Sequence, residues 1–194
     1  MNIWCENELF IFGKKEELER FMEVAQGKNG CLDMNSFIPY PIELQNQDEI
    51  CRGFREEIEG HNRAVMEKIK QMSQEEKEQY RMENGESWGF KCSDSYNCDG
   101  CRWRRRNWGT KENFFAPLLV DEDLDEEIGF LYYEFETAWS PPEPVIKKMG
   151  AMFPELDFEL RYFKADSGFN GILVIEHGEV EFEDCAAYYG HRGG

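Results

Sequence analysis

Residues 130–144, FLYYEFETAWSPPEP, constrain the fold more than any other stretch of the chain. Phe130, Tyr132 and Glu134 alternate with Leu131, Tyr133 and Phe135, and aromatic enrichment at a period of two marks a β-strand. The strand runs into an aromatic elbow. Ser140-Pro141-Pro142 then stands where a helix should begin, with Ser140 as cap and proline in the first turn. Val145, Ile146, Met149 and Met152 recur at helical spacing, and Phe153-Pro154 ends the helix. A strand delivered straight into an amphipathic helix predicts a domain of sheet and helix layers.

The flanks follow the same pattern. Residues 3–12 are apolar enough to read as a strand buried largely on both faces and stopped by Gly13. Leu18, Phe21, Met22 and Ala25 then fall at helical spacing, and Gly27 closes that helix. After the central unit, residues 156–163 alternate, residues 165–168 turn, and residues 169–176 are apolar in the middle. His177-Gly178 has hairpin-turn chemistry, and residues 180–185 pair back. The order is strand–helix, a long insertion, then strand–helix–strand–strand–strand. It predicts an α+β split βαβ sandwich, an antiparallel sheet with helices on one face. At 194 residues the chain fits a single domain.

The insertion, residues 45–106, is helical at first. Ile50, Phe54, Ile58, Val65, Ile69 and Met72 recur between charges and predict a long helix, broken near Gly60. Ser73 and Glu76 have capping-box spacing for a second helix ending by Gly85. Residues 86–106 read as an irregular knuckle of turn formers. It holds Cys92, Cys98 and Cys101, one CxxC pair and one upstream thiol. Zinc takes four tetrahedral ligands, so a structural zinc here would need Cys51, His61 or Cys185 as the fourth. Free thiols in a loop and redox catalysis are the other readings; otherwise no cofactor is expected.

Charge bounds the partners. Forty acidic residues against 22 basic give a net charge of −18. Such a surface repels nucleic acid and anionic lipid at long range and favours basic proteins. It serves solubility, or it imitates nucleic acid towards a protein that binds nucleic acid. Residues 102–106, RWRRR, mix cations with Trp103 as single-strand binders do. In so acidic a chain they read better as an internal partner for carboxylates, so direct nucleic-acid binding is not favoured. No apolar run approaches the ~20 residues of a membrane span, and the N-terminus carries Glu6 and Glu8 where a signal peptide would be apolar. A cytoplasmic protein is expected. His61, His177 and His191 fall in a helix, a turn and a tail, and no P-loop, GxSxG or HExxH is present. The expectation is therefore more for a binding protein than for an enzyme.

Three short motifs resemble a known family. Trp4-Cys5 with Asn7, Leu9 and Gly13, then Asn107-Trp108-Gly109-Thr110-Lys111, then Thr137-Ala138-Trp139-Ser140-Pro141-Pro142 are similar to the W-C-x-N, N-W-G-T-K and T-A-W-S-P-P elements of YubB-type ferredoxin-like domain proteins. Phe153-Pro154, Tyr162, Phe169 and Gly171 follow in the same order. The resemblance covers roughly residues 1–42 and 107–185 and leaves the insertion unexplained. It departs at Glu112, where the family carries an aromatic, and at Lys164, where it carries an acid. It implies a ferredoxin-like topology, without an iron–sulfur cluster, in proteins borne largely on plasmids and phages. It brings no established activity or catalytic residue.

Two functional expectations result. In the first, a non-enzymatic acidic protein from a mobile genetic element engages a host protein, such as a nucleic-acid-handling defence factor. In the alternative, the chain is a small-ligand or nucleotide-binding domain or an enzyme, with Asn107, Trp108, Thr110, Lys111, Trp139 and Ser140 lining its site, aromatic walls with a few polar groups being what such sites need.

Overall fold

The computed structural model describes residues 3–28, 30–85, 88, 90, 99–125 and 127–187. The chain divides into two compact units, Met1–Tyr40 with Arg102–Gly194, and Pro41–Cys101. In the first unit, strand β1 (Trp4–Gly13) leads to helix α1 (Lys15–Ala25) and a short 3-10 turn, Met34–Ser36. After the insertion come β2 (Phe115–Asp123), β3 (Gly129–Ala138), α5 (Glu143–Met152), β4 (Asp157–Lys164), β5 (Phe169–Glu176) and β6 (Glu179–Ala187). The insertion supplies α2 (Ile42–Gln71) and α3 (Gln74–Asn84), and α4 (Asp99–Asn107) leads back.

The six strands form one sheet in the order β2-β3-β1-β4-β5-β6, every neighbour antiparallel. Placing β3 between β2 and β1, with β4 on the far side of β1, is a split βαβ arrangement as expected, but β2 is a sixth strand that the expected element order lacked. The hairpin from β5 to β6 extends it. His177 and Gly178, both at positive φ (54° and 81°), make that turn, and Glu176 and Glu179 pair across it.

The core lies on one face. Cys5, Leu9 and Ile11 of β1 alternate inward with Leu131, Tyr133 and Phe135 of β3 and with Phe158, Leu160 and Tyr162 of β4. Leu18, Phe21 and Ala25 of α1 and Val145, Ile146 and Met149 of α5 close over them. Phe21 is the centre of this layer. Its ring lies 5.8 Å from Phe37, 6.4 Å from Tyr133, 5.3 Å from Phe153 and 5.8 Å from Phe158.

Four sequence expectations change. First, β1 is buried on one face only: Trp4, Glu6, Glu8, Phe10 and Phe12 alternate outward. Its apolar content is high because Phe10 stacks on Tyr132 across the strands (4.5 Å, 4°) and Trp4 on Phe115 (4.6 Å, 19°), not because a second layer covers it. Second, α2 runs unbroken through Gly60, since its turns on both sides are long enough to carry one unfavourable residue of about 1 kcal/mol. Third, residues 102–106 are helical, within α4. Fourth, Ser140 does not cap α5. The cap position is Pro142, and the Ser140 hydroxyl is turned to the Gly109 carbonyl instead. The capping box at Ser73 and Glu76 is formed as expected, both hydrogen bonds present. In that unit Lys68 Nζ of α2 sits 4.8 Å over the Tyr80 ring of α3.

Candidate functional site

The three motifs meet at one end of the sheet. Asn7, buried in β1, donates from Nδ2 to the Cys5 carbonyl (2.8 Å) and to Thr137 Oγ1 (2.9 Å). Thr137 Oγ1 in turn donates to the Ser140 carbonyl (2.9 Å). Thr110 Oγ1 donates to the Ala138 carbonyl (2.8 Å), and Ser140 Oγ donates to the Gly109 carbonyl (2.6 Å). The Trp139 amide donates to the Ile3 carbonyl (2.7 Å). Thr110 and Thr137 are fully buried, where an unpaired hydroxyl would cost about 1–3 kcal/mol, so the hydroxyls of these motifs are committed to joining the strand ends.

Above this junction sits Trp139, at φ 77° and about one-third exposed. Lys111 Nζ lies 4.8 Å and Lys164 Nζ 5.6 Å from its ring. Lys164 is buried and donates to the Trp4 carbonyl at 3.2 Å. Of the six residues singled out from the sequence, Thr110, Lys111, Trp139 and Ser140 come together here. Asn107 and Trp108 serve elsewhere. Asn107 donates to the Trp103 carbonyl one turn back in α4, and Trp108 Nε1 donates to the Ile38 carbonyl (2.8 Å). Trp108 packs with Tyr40 and Trp103, ring centroids 5.6 and 5.7 Å away.

Beside the junction lies Tyr162, which the sequence places among the motif residues but not among the site residues. Burial, and then its hydrogen bond to the Glu143 carboxylate at the start of α5, hold its hydroxyl well above the ordinary range; Cys185 also bonds to it. Tyr162 lies flat over Gly171, where a Cβ would come within 2.4 Å of its hydroxyl oxygen. An aromatic opposite a strand glycine is the sequence signal that could have found it.

The other face of the sheet is chemically different. The register sets Glu6 directly opposite Glu136, and Glu8 opposite Glu134. With Ala116 and Leu118 of β2 these carboxylates line a shallow groove. Reading β1 as buried on both faces hid this surface, although the W-x-E-x-E-x-F alternation carries it.

Of the proposed zinc ligands, Cys101 is buried in α4, while Cys92, Cys98 and the side chain of Cys51 lie outside the described residues. Among the described residues no group of three or more His, Cys, Asp or Glu is placed to hold a metal ion. No described helix is long and apolar enough to cross a membrane.

Comparison with known proteins bears on the topology. Residues 120–189 match the family model of the ferredoxin-like domain in Api92-like protein. The fold is ferredoxin-like. The crystal structure of a protein api92 from Yersinia pseudotuberculosis is similar over 98% of this chain and 99% of that one, with a TM-score of 0.51 at 10% identity. No curated protein matches. The matched segment runs from the end of β2 through β6, so it contains the T-A-W-S-P-P elbow and Tyr162 but not the acidic strand β1.

Proposed function

We propose that this chain is a non-catalytic binding protein that engages a basic protein partner through its acidic surface. The observation that carries the reading is the directly opposed carboxylate pairs Glu6–Glu136 and Glu8–Glu134. Like charges set opposite one another across strands destabilise a sheet, so their presence on an exposed face favours a use outside folding. A partner surface built to meet nucleic-acid phosphates has the required complement, and a host nucleic-acid-handling protein facing a mobile-element product fits that chemistry. The test is affinity capture from nuclease-treated bacterial lysate. One stoichiometric protein, eluted by salt and displaced by duplex DNA, is the expected result. No protein retained even at about 50 mM salt, where surface charge is least screened, would overturn the reading.

A second reading rests on the two ammonium groups beside the Trp139 ring. They suit a small anionic ligand, in the sense of the small-ligand or nucleotide alternative. Under this reading, a nucleotide or dicarboxylate panel would raise the melting temperature of the native protein but not of Lys111→Ala. A panel that shifts neither protein, or both equally, removes it.

A further inference from the structure

A net acidic surface does not by itself say how much of the molecule a basic partner covers or what that partner presents. We infer that it lies on the open face of the sheet along β1 and β3, and that it presents an extended, arginine-rich segment. This inference rests on the basic-partner reading.

Four observations on that face support it. Along β1 the outward residues are Trp4, Glu6, Glu8 and Phe10, so the four carboxylates form a rectangle with a stacked aromatic pair at each end. The face is open: Phe12, Phe115 and Leu118 are 38%, 50% and 57% exposed. Arg161, the one cation among the outward strand residues described, stands opposite Glu8 in the register and pairs with Glu159. Its guanidinium lies 5.5 Å from the centroid of the Phe10 ring. That contact indicates the partner's chemistry, because the protein's own arginine uses this surface as an incoming one would, its guanidinium beside an aromatic ring and its Nε on a carboxylate oxygen. Lysine, a hydrated point charge, gains less from that combination.

The spacing argues for an extended segment. Successive outward residues of β1 are two apart, about 6.8 Å along the strand. Alternate side chains of an extended peptide have the same repeat, so one face of an R-x-R-x-R segment meets both carboxylate pairs in register. Leu118 and Ala116 at the groove wall give the arginine stems an apolar surface to cover.

The test uses synthetic peptides with three arginines or three lysines in alternation, titrated calorimetrically into the full chain at about 50 and 150 mM salt. The variants are Glu136→Lys, Glu136→Gln and, on the exposed surface of α1, Glu19→Lys. The arginine peptide should bind the native protein more tightly than the lysine peptide. Glu136→Lys should weaken it by about tenfold or more, and Glu19→Lys by about twofold or less. Glu136→Lys should also resist urea better than the native protein, because it replaces a like-charge pair with an opposite one. A gain in stability with a loss of binding is not what a merely structural role would give. Glu136→Gln repeats both effects at smaller size should the lysine variant fold poorly. Equal weakening by Glu136→Lys and Glu19→Lys would overturn the sheet-face assignment while leaving the basic-partner reading intact. Equal affinity for the two peptides would overturn the choice of arginine. No binding of either at low salt would remove both.

Discussion

Truncating Phe21 to alanine is expected to remove about 3–5 kcal/mol of unfolding free energy, the largest loss from any single side chain in the first unit. The ring is fully buried and meets aromatic rings from four places: Phe37 after α1, Tyr133 on β3, Phe153 at the end of α5 and Phe158 on β4. It therefore ties both helices to the sheet. Three of those contacts are edge-to-face, the arrangement that adds to area burial. Alanine would leave a cavity that rigid strands cannot close, and a typical domain has only about 5–15 kcal/mol in reserve. Urea unfolding followed by circular dichroism measures it, with Phe54→Ala as the control. Phe54 is 62% exposed on α2, and its truncation should cost about 0.5 kcal/mol or less. A loss at Phe21 no larger than at Phe54 would mean that α1 does not pack on the sheet as described.

The elements that were legible in the sequence are those with one cause. β3 alternates strictly because one face meets helices and the other does not, and its register with β1 follows. The His177-Gly178 turn and the Ser73 capping box are local chemistry, read from two to four residues. β1 was misread because aromatic content has two causes. Phe10 and Trp4 are apolar for cross-strand stacking on an open face, which composition cannot distinguish from burial in a second layer. Ser140 was misread for a related reason. A serine before two prolines has the local form of a cap, but a carbonyl 31 residues away, that of Gly109, was the acceptor it met. The candidate site was half legible. Motif residues marked the junction, and the structure joins them through hydrogen bonds among Asn7, Thr110, Thr137 and Ser140. That Lys164 and Tyr162 complete it depends on the placement of β4 beside β1, which spacing along one chain does not encode.

That same buried junction, together with the core beside it, should make the protein sensitive to alkali. Burial pushes the Cys5 thiol up from 9.0 to about 12, against the opposing pull of the Lys164 ammonium. Burial likewise holds the Tyr133 hydroxyl above its usual 10, and burial with the Glu143 hydrogen bond does so for Tyr162. In the unfolded chain the thiol loses its proton near pH 9 and the phenols near pH 10, while in the folded protein all three keep theirs. Above those values the unfolded state binds fewer protons, so stability is fully present below about pH 9 and falls as the pH rises towards 12. Each group contributes a slope of about 1.4 kcal/mol per pH unit, and the three together about 4 kcal/mol per unit above pH 10. Cooperative unfolding should therefore precede, and then release, tyrosinate absorbance. Urea titrations at half-unit steps from pH 8 to about 11 measure the slope. Growing negative charge on the chain acts on every variant alike, so the difference between proteins isolates the buried groups. Cys5→Ala should delay the onset from near pH 9 to near pH 10, and Tyr162→Phe should reduce the slope above pH 10. If Cys5→Ala lost stability between pH 9 and 10 as fast as the native protein, the thiol would be titrating as it does in water. The end of the sheet where the three motifs meet would then be open to solvent, and the junction would not be the buried lock that its hydrogen bonds describe.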